Sequence, residues 1–66
     1  MINGEKIKEL MKKKDVTGRE LAETVGISEP MVCYIIKGLR EPSVTVLVRI
    51  ADALGCSVDE LIRKGA

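Results

Sequence analysis

Helix-starting and helix-stopping residues recur at short, regular intervals along this chain, and that punctuation leaves room for little except a set of short helices. Asn3 is placed to cap a first helix, with Ile2 before it and Ile7 after it spaced as a hydrophobic staple. Ile7, Leu10 and Met11 then fall on one face at helical spacing. Lys12, Lys13 and Lys14 sit at the negative end of that helix's dipole and read as a solvated terminus. Thr17-Gly18-Arg19-Glu20 has the spacing of a capping box, in which hydroxyl and carboxylate each satisfy the other residue's backbone N–H. Leu21, Ala22 and Val25 supply the inward face of this second helix, and Gly26 stops it.

Ser28 caps a third helix with Val32, Ile35 and Ile36 inward and Gly38 at its end. Pro30 is compatible with its first turn, where the missing N–H has no intrahelical partner. After the loop Leu39-Arg40-Glu41-Pro42, Ser43 caps a fourth helix that points Val44, Leu47, Ile50, Ala51 and Leu54 inward and ends at Gly55. Val44–Val48 is rich in β-branched residues, which favour strands. Its apolar positions nevertheless continue at helical spacing to Leu54, between a serine cap and a glycine stop, so helix prevails. Ser57-Val58-Asp59-Glu60 is a second capping box, opening a short helix with Leu61 and Ile62 apolar. The expected architecture is all-α: one compact five-helix domain over residues 1–66, with helices spanning 3–14, 17–25, 28–37, 43–54 and 57–64.

Composition narrows the function classes. One aromatic residue in a chain that is 45% hydrophobic means an aliphatic core of closely packed helices. So short a chain encloses no deep catalytic pocket, and no nucleophile stands beside a base, so an enzyme is not expected. Cys33 and Cys56, without a histidine, make neither a zinc site nor a disulfide framework, and they read as reduced thiols. No metal or cofactor is expected, nor a small-molecule ligand. No apolar run approaches the ~20 residues that span a bilayer, and the start of the chain does not resemble a signal peptide, so a cytoplasmic location without a membrane partner follows. The net charge of +1 is weak support for a nucleic-acid partner, although the positive excess falls in residues 1–40.

Between Thr17 and Lys37, two short helices meet at the tight turn Gly26-Ile27-Ser28, an arrangement that lets the second project into a DNA major groove. The chain as a whole resembles the lambda-repressor-like family, the Cro and phage-repressor (XRE) type of helix-turn-helix. The resemblance is carried by Glu5–Leu10, Glu20-Leu21-Ala22-Glu23, Val25-Gly26-Ile27-Ser28, the pattern Gly38-x-Arg40-x-Pro42-Ser43, Leu47–Gly55 and Ser57–Leu61. It implies a sequence-specific DNA-binding transcriptional regulator, a repressor, that inserts its third helix into the major groove as a dimer. By the same resemblance, phosphate contacts fall to Thr17, Gly18 and Arg19, to Ser28 at the start of the third helix, and to Lys37, Arg40 and Ser43. Base contacts fall to the outward positions Glu29, Pro30 and Tyr34, with Met31 and Cys33 beside them.

The reading positions depart from the family. Glutamine is common where this chain has Gly18, so a side-chain clamp on phosphate is missing. Pro30 has no donor, and Glu29 accepts from cytosine while being repelled by phosphate. Many relatives pair a buried Arg and Glu at the positions of Met11 and Ile36. Both are apolar here, and the two are expected to touch, because packed hydrophobes replace such a pair at little cost. Cys33 is read as a small residue on the exposed face, Cys56 as a core filler, and Arg49 and Arg63 as surface charges off the DNA face. Val58 and Ile62, with Val46 or Val48, are the expected homodimer contacts on an inverted-repeat operator with half-sites about one turn apart. The alternative is a protein-interaction or antitoxin-like module that keeps the fold with weakened DNA readout.

Overall fold

The computed structural model describes residues 2–62, which form α1 (Gly4–Lys14), α2 (Gly18–Val25), α3 (Glu29–Ile36), α4 (Val44–Leu54) and α5 (Val58–Leu61). Every helix begins at its expected cap. Side chains of Asn3, Thr17, Ser28, Ser43 and Ser57 accept from Lys6, Glu20, Met31, Val46 and Glu60 backbone N–H groups. Both capping boxes close, with the Thr17 and Ser57 N–H groups donating to the carboxylates of Glu20 and Glu60. Each cap of this kind contributes about 1 kcal/mol, a large share of what a chain this size has in reserve.

Four helices share one kind of ending. A residue in the left-handed conformation (Asp15, Gly26, Gly38 or Gly55) is followed by an apolar residue whose N–H returns five positions back. Val16 donates to the Met11 carbonyl, Ile27 to Ala22, Leu39 to Tyr34 and Cys56 to Ala51, at 2.8–3.0 Å. Val16, Ile27 and Cys56 then pack against the core. Leu39 does not; it is 68% exposed. Only Gly26 stands where the helix-turn-helix needs its tight turn, and its φ of 87° is one that a side chain disfavours.

α2 packs on α3 and α4, while α1 lies across α3, α4 and α5, with α5 closing onto α4. The centre is filled by Ile7, Leu21, Val25, Ile35, Ile50, Leu54 and Leu61, each less than 2% exposed. No polar or charged residue is buried among the described residues. Met11 is buried in this core and Ile36 packs against it from α3; both line one groove, in keeping with an apolar pair in place of an ionic one. Gly4 is buried where the start of α1 meets the backbone of Ile36, an approach so close that a Cβ would overlap the Ile36 carbonyl.

Two expectations are corrected. Ile62 is not helical: α5 ends at Leu61, and Ile62 adopts extended angles to form an isolated antiparallel bridge with Ile2. The Asn3 N–H donates to the Leu61 carbonyl at 2.7 Å, so the start of the chain competes successfully with a further helical turn. Val44 is not inward; it is 78% exposed at the first position of α4, where Val46 and Leu47 pack half-buried against the core and full burial begins at Ile50. Arg49 is exposed, as expected of a surface charge, and its guanidinium also donates to the Val25 carbonyl at 3.3 Å, satisfying one of the acceptors left open at the end of α2. Residues 63 and 64 of the expected fifth helix, and Arg63 as a surface charge, lie outside the described residues.

Candidate nucleic-acid interface

The caps and turns determine which side chains α3 can offer. Ser28 and Pro30 set its first turn, Val32 and Ile35 anchor it in the core, and the helical period then sends Glu29, Pro30, Cys33 and Tyr34 outward. All four are exposed, Tyr34 to 44%. Met31 is half-buried against the core, so only part of its side chain faces outward. Cys33 lies on the open face, whereas Cys56 is half-buried and burial pushes its thiol up, with Glu60 adding to the rise.

Of the expected phosphate-contacting residues, Thr17, Arg19, Ser28, Lys37, Arg40 and Ser43 are exposed, and Gly18 is half-exposed. The oxygens of Thr17, Ser28 and Ser43 already accept cap hydrogen bonds, which leaves their hydroxyl protons to donate outward. Arg19 sits 3.5 Å from Glu23, the one ion pair among the described residues. An exposed pair of this spacing contributes only about 0.3–0.5 kcal/mol, so a phosphate can displace it.

The structure brings Gly18, Glu29, Cys33 and Lys37 together on one groove of about 590 Å³ between α1, the start of α2 and α3. Its floor is apolar, made by Met11, Val16, Val32 and Ile36. Two further residues on its edge, Lys8 and Lys12, were not singled out from the sequence as DNA contacts. Their i, i+4 spacing was the available signal, hidden within the lysine run that also closes α1. Pro30, Tyr34, Arg40 and Ser43 are not part of this groove. Val58 and Ile62, the expected dimer contacts, are half-buried, as is Val46, while Val48 is 41% exposed.

Residues 7–61 match the family described as Helix-turn-helix. The chain belongs to the lambda-repressor-like helix-turn-helix family. Among its helix-turn-helix relatives, an HTH-type transcriptional regulator of Mycobacterium tuberculosis, Rv0474, is 45% identical over 51 residues, which is 76% of this chain and 36% of the relative. YqaE of Bacillus subtilis, also an HTH-type transcriptional regulator, is 32% identical over 59 residues, 89% of this chain and 51% of that protein. The helix-turn-helix domain therefore spans about half or less of the curated relatives it matches. Among solved structures, the biofilm master regulator SinR in complex with DNA superposes with a TM-score of 0.82 at 32% identity, covering 89% of this chain and 98% of that one. The helix-turn-helix of this chain is thus α2, the Gly26-Ile27-Ser28 turn and α3. Among the described residues no helix is long and apolar enough to cross a membrane.

Proposed function

We propose that this helix-turn-helix domain is the DNA-binding part of a cytoplasmic transcriptional regulator, acting as a repressor by binding rather than by catalysis. α3 enters the major groove and presents Glu29, Pro30, Cys33 and Tyr34 to base edges, with part of Met31. Thr17, Gly18, Arg19 and Ser28 meet one phosphate strand, and Lys37, Arg40 and Ser43 meet the backbone beyond the end of α3. The observation that carries this reading is the exposed outer face of α3, whose Glu29 and Cys33 share one groove with Gly18 of α2 and Lys37, on a fold shared with SinR in its complex with DNA. Hydrogen-bonded base readout is sparse, because Pro30 has no donor and the Glu29 carboxylate accepts only.

Cys33 tests this reading directly. Bound duplex will slow alkylation of Cys33 by iodoacetamide at least tenfold and leave Cys56 unchanged. In the free protein Cys33 will react first, since it is exposed while Cys56 is half-buried and that burial pushes its thiol up. Equal protection of both thiols, or of neither, would remove α3 from the groove.

The regulator binds as a homodimer on an inverted repeat, and the exposed apolar residues mark the contact. Leu39 is the one helix-ending apolar residue left off the core, and Val44 and Val48 stand one turn apart on the outer flank of α4. Val48 was among the residues expected from the sequence; Val58 and Ile62 contribute only their half-exposed edges. Val48→Glu places two like charges near the two-fold axis and removes apolar burial from both copies. Sedimentation will show dimer dissociation at protein concentrations at least tenfold higher than for the unaltered chain. An unchanged association profile would move the contact elsewhere.

A further inference from the structure

We propose that Lys8 and Lys12 of α1 form a second cationic rail that holds the DNA backbone, doing what the missing side chain at Gly18 cannot. This inference rests on the DNA-binding reading above and adds α1 to the surface that meets phosphate.

The groove between α1, α2 and α3 is edged by Lys8, Lys12 and Lys37 against a single acid, Glu29. All three lysines are exposed, and none forms an ion pair among the described residues. Such an excess of cations on one rim attracts an anionic strand. The space between the lysines and α2 is open, because a Cβ built at Gly18 meets nothing within 4 Å. A backbone strand can therefore settle closer to this helix than a bulkier residue would permit. The strand suits the groove in both its parts: phosphate oxygens meet the lysine rim, and the C–H faces of deoxyribose meet the apolar floor. The groove is also continuous with the reading face, sharing Glu29 and Cys33 with it.

The other two lysines of α1 do not belong to this rail. Lys14 reaches over Gly55, where its Nζ lies 3.4 Å from a Cβ built at that glycine. Lys13 does not line the groove, which makes it the control for a change of charge on the same helix.

The test is a salt titration by fluorescence anisotropy, on a selected duplex and on random duplex, for the unaltered chain, K8Q/K12Q and K13Q. With Arg19, Lys37 and Arg40 alone, a dimer makes about six phosphate contacts and log affinity falls against log salt with a slope near −5. With Lys8 and Lys12 added, about ten contacts give a slope near −9. K8Q/K12Q should return the slope to about −5 and weaken binding on the order of a thousandfold at 0.1 M salt, equally on both duplexes. Its thermal unfolding should be unchanged, since both side chains are exposed. K13Q should lose far less. A slope near −5 in the unaltered chain that K8Q/K12Q leaves unchanged would overturn the rail while sparing DNA binding. So would a K13Q effect on the slope matching that of the double variant. A flat slope in the unaltered chain would overturn both.

Discussion

Gly4→Ala will lower the stability of this domain by about 3 kcal/mol, the upper part of the range for overpacking a close contact. The new methyl would be directed at backbone rather than at a yielding side chain. It would overlap the Ile36 carbonyl oxygen and lie 2.7 Å from the carbonyl carbon, so the start of α1 must lift away from the end of α3. That displacement also disturbs the neighbouring Asn3 N–H bond to Leu61 and the Ile2–Ile62 bridge, which depend on where the chain enters α1. Intrinsic helix propensity argues the other way, since alanine favours a helix by up to about 1 kcal/mol over glycine. Steric overlap is the larger effect. In a domain of this size each kcal/mol moves the midpoint by roughly 4–8 °C, so the expected fall is about 12–24 °C. Gly18→Ala is the matched control, because its new methyl meets nothing within 4 Å and should be neutral or slightly stabilising. A Gly4→Ala midpoint within two or so degrees of the unaltered chain would show that the contact between α1 and α3 relaxes freely.

Lys37→Ala combined with Arg40→Ala will weaken DNA binding on the order of a thousandfold at 0.1 M salt, with folding intact. The two residues flank Gly38 at the end of α3, Lys37 as its C-cap and Arg40 in the loop that follows. Both are exposed and neither forms an ion pair among the described residues, so their removal takes no support from the core. In a dimer the double variant deletes about four phosphate contacts, which should reduce the salt slope by about 3.6. The loss should be the same for selected and random duplexes, because phosphate carries no sequence. Tyr34→Ala, by contrast, should shift which duplexes are selected more than how strongly the protein holds DNA in general. If the double variant binds as before, the strand runs elsewhere and the assignment of this loop fails.

Local signals made most of the fold legible. Ser and Thr caps with Glu three residues later, and glycines at the stops, are short-range chemistry that a sequence displays openly, so α1 to α4 begin and end within a residue of expectation. Val44–Val48 shows the same logic against contrary propensity, since the Ser43 cap and the stripe through Ile50 and Leu54 outweigh β-branching. What escaped the sequence depends on contacts between distant residues. The bridge from Ile2 to Ile62 ends α5 early, Arg49 reaches Val25 across 24 positions, and Gly4 is required by Ile36. None leaves a mark in its neighbours. The candidate interface divides the same way. The outward face of α3 follows from helical period, whereas the grouping of Lys8 and Lys12 with Gly18 and Lys37 exists only once α1 packs across α3. Leu39 is a further case, read as an ordinary loop residue until the endings of the other helices show that it departs from their pattern.

The measurement that tests the central claim most directly is an anisotropy titration of the chain against a randomised duplex pool at low and moderate salt, with sequencing of the bound fraction. DNA recognition by α3 in a dimer predicts a palindromic site with half-sites about one helical turn apart, and a log–log salt slope of about −5 or steeper. Absence of binding even at low salt, or a slope near zero with no sequence enriched, would contradict it and make this helix-turn-helix a scaffold for a protein partner.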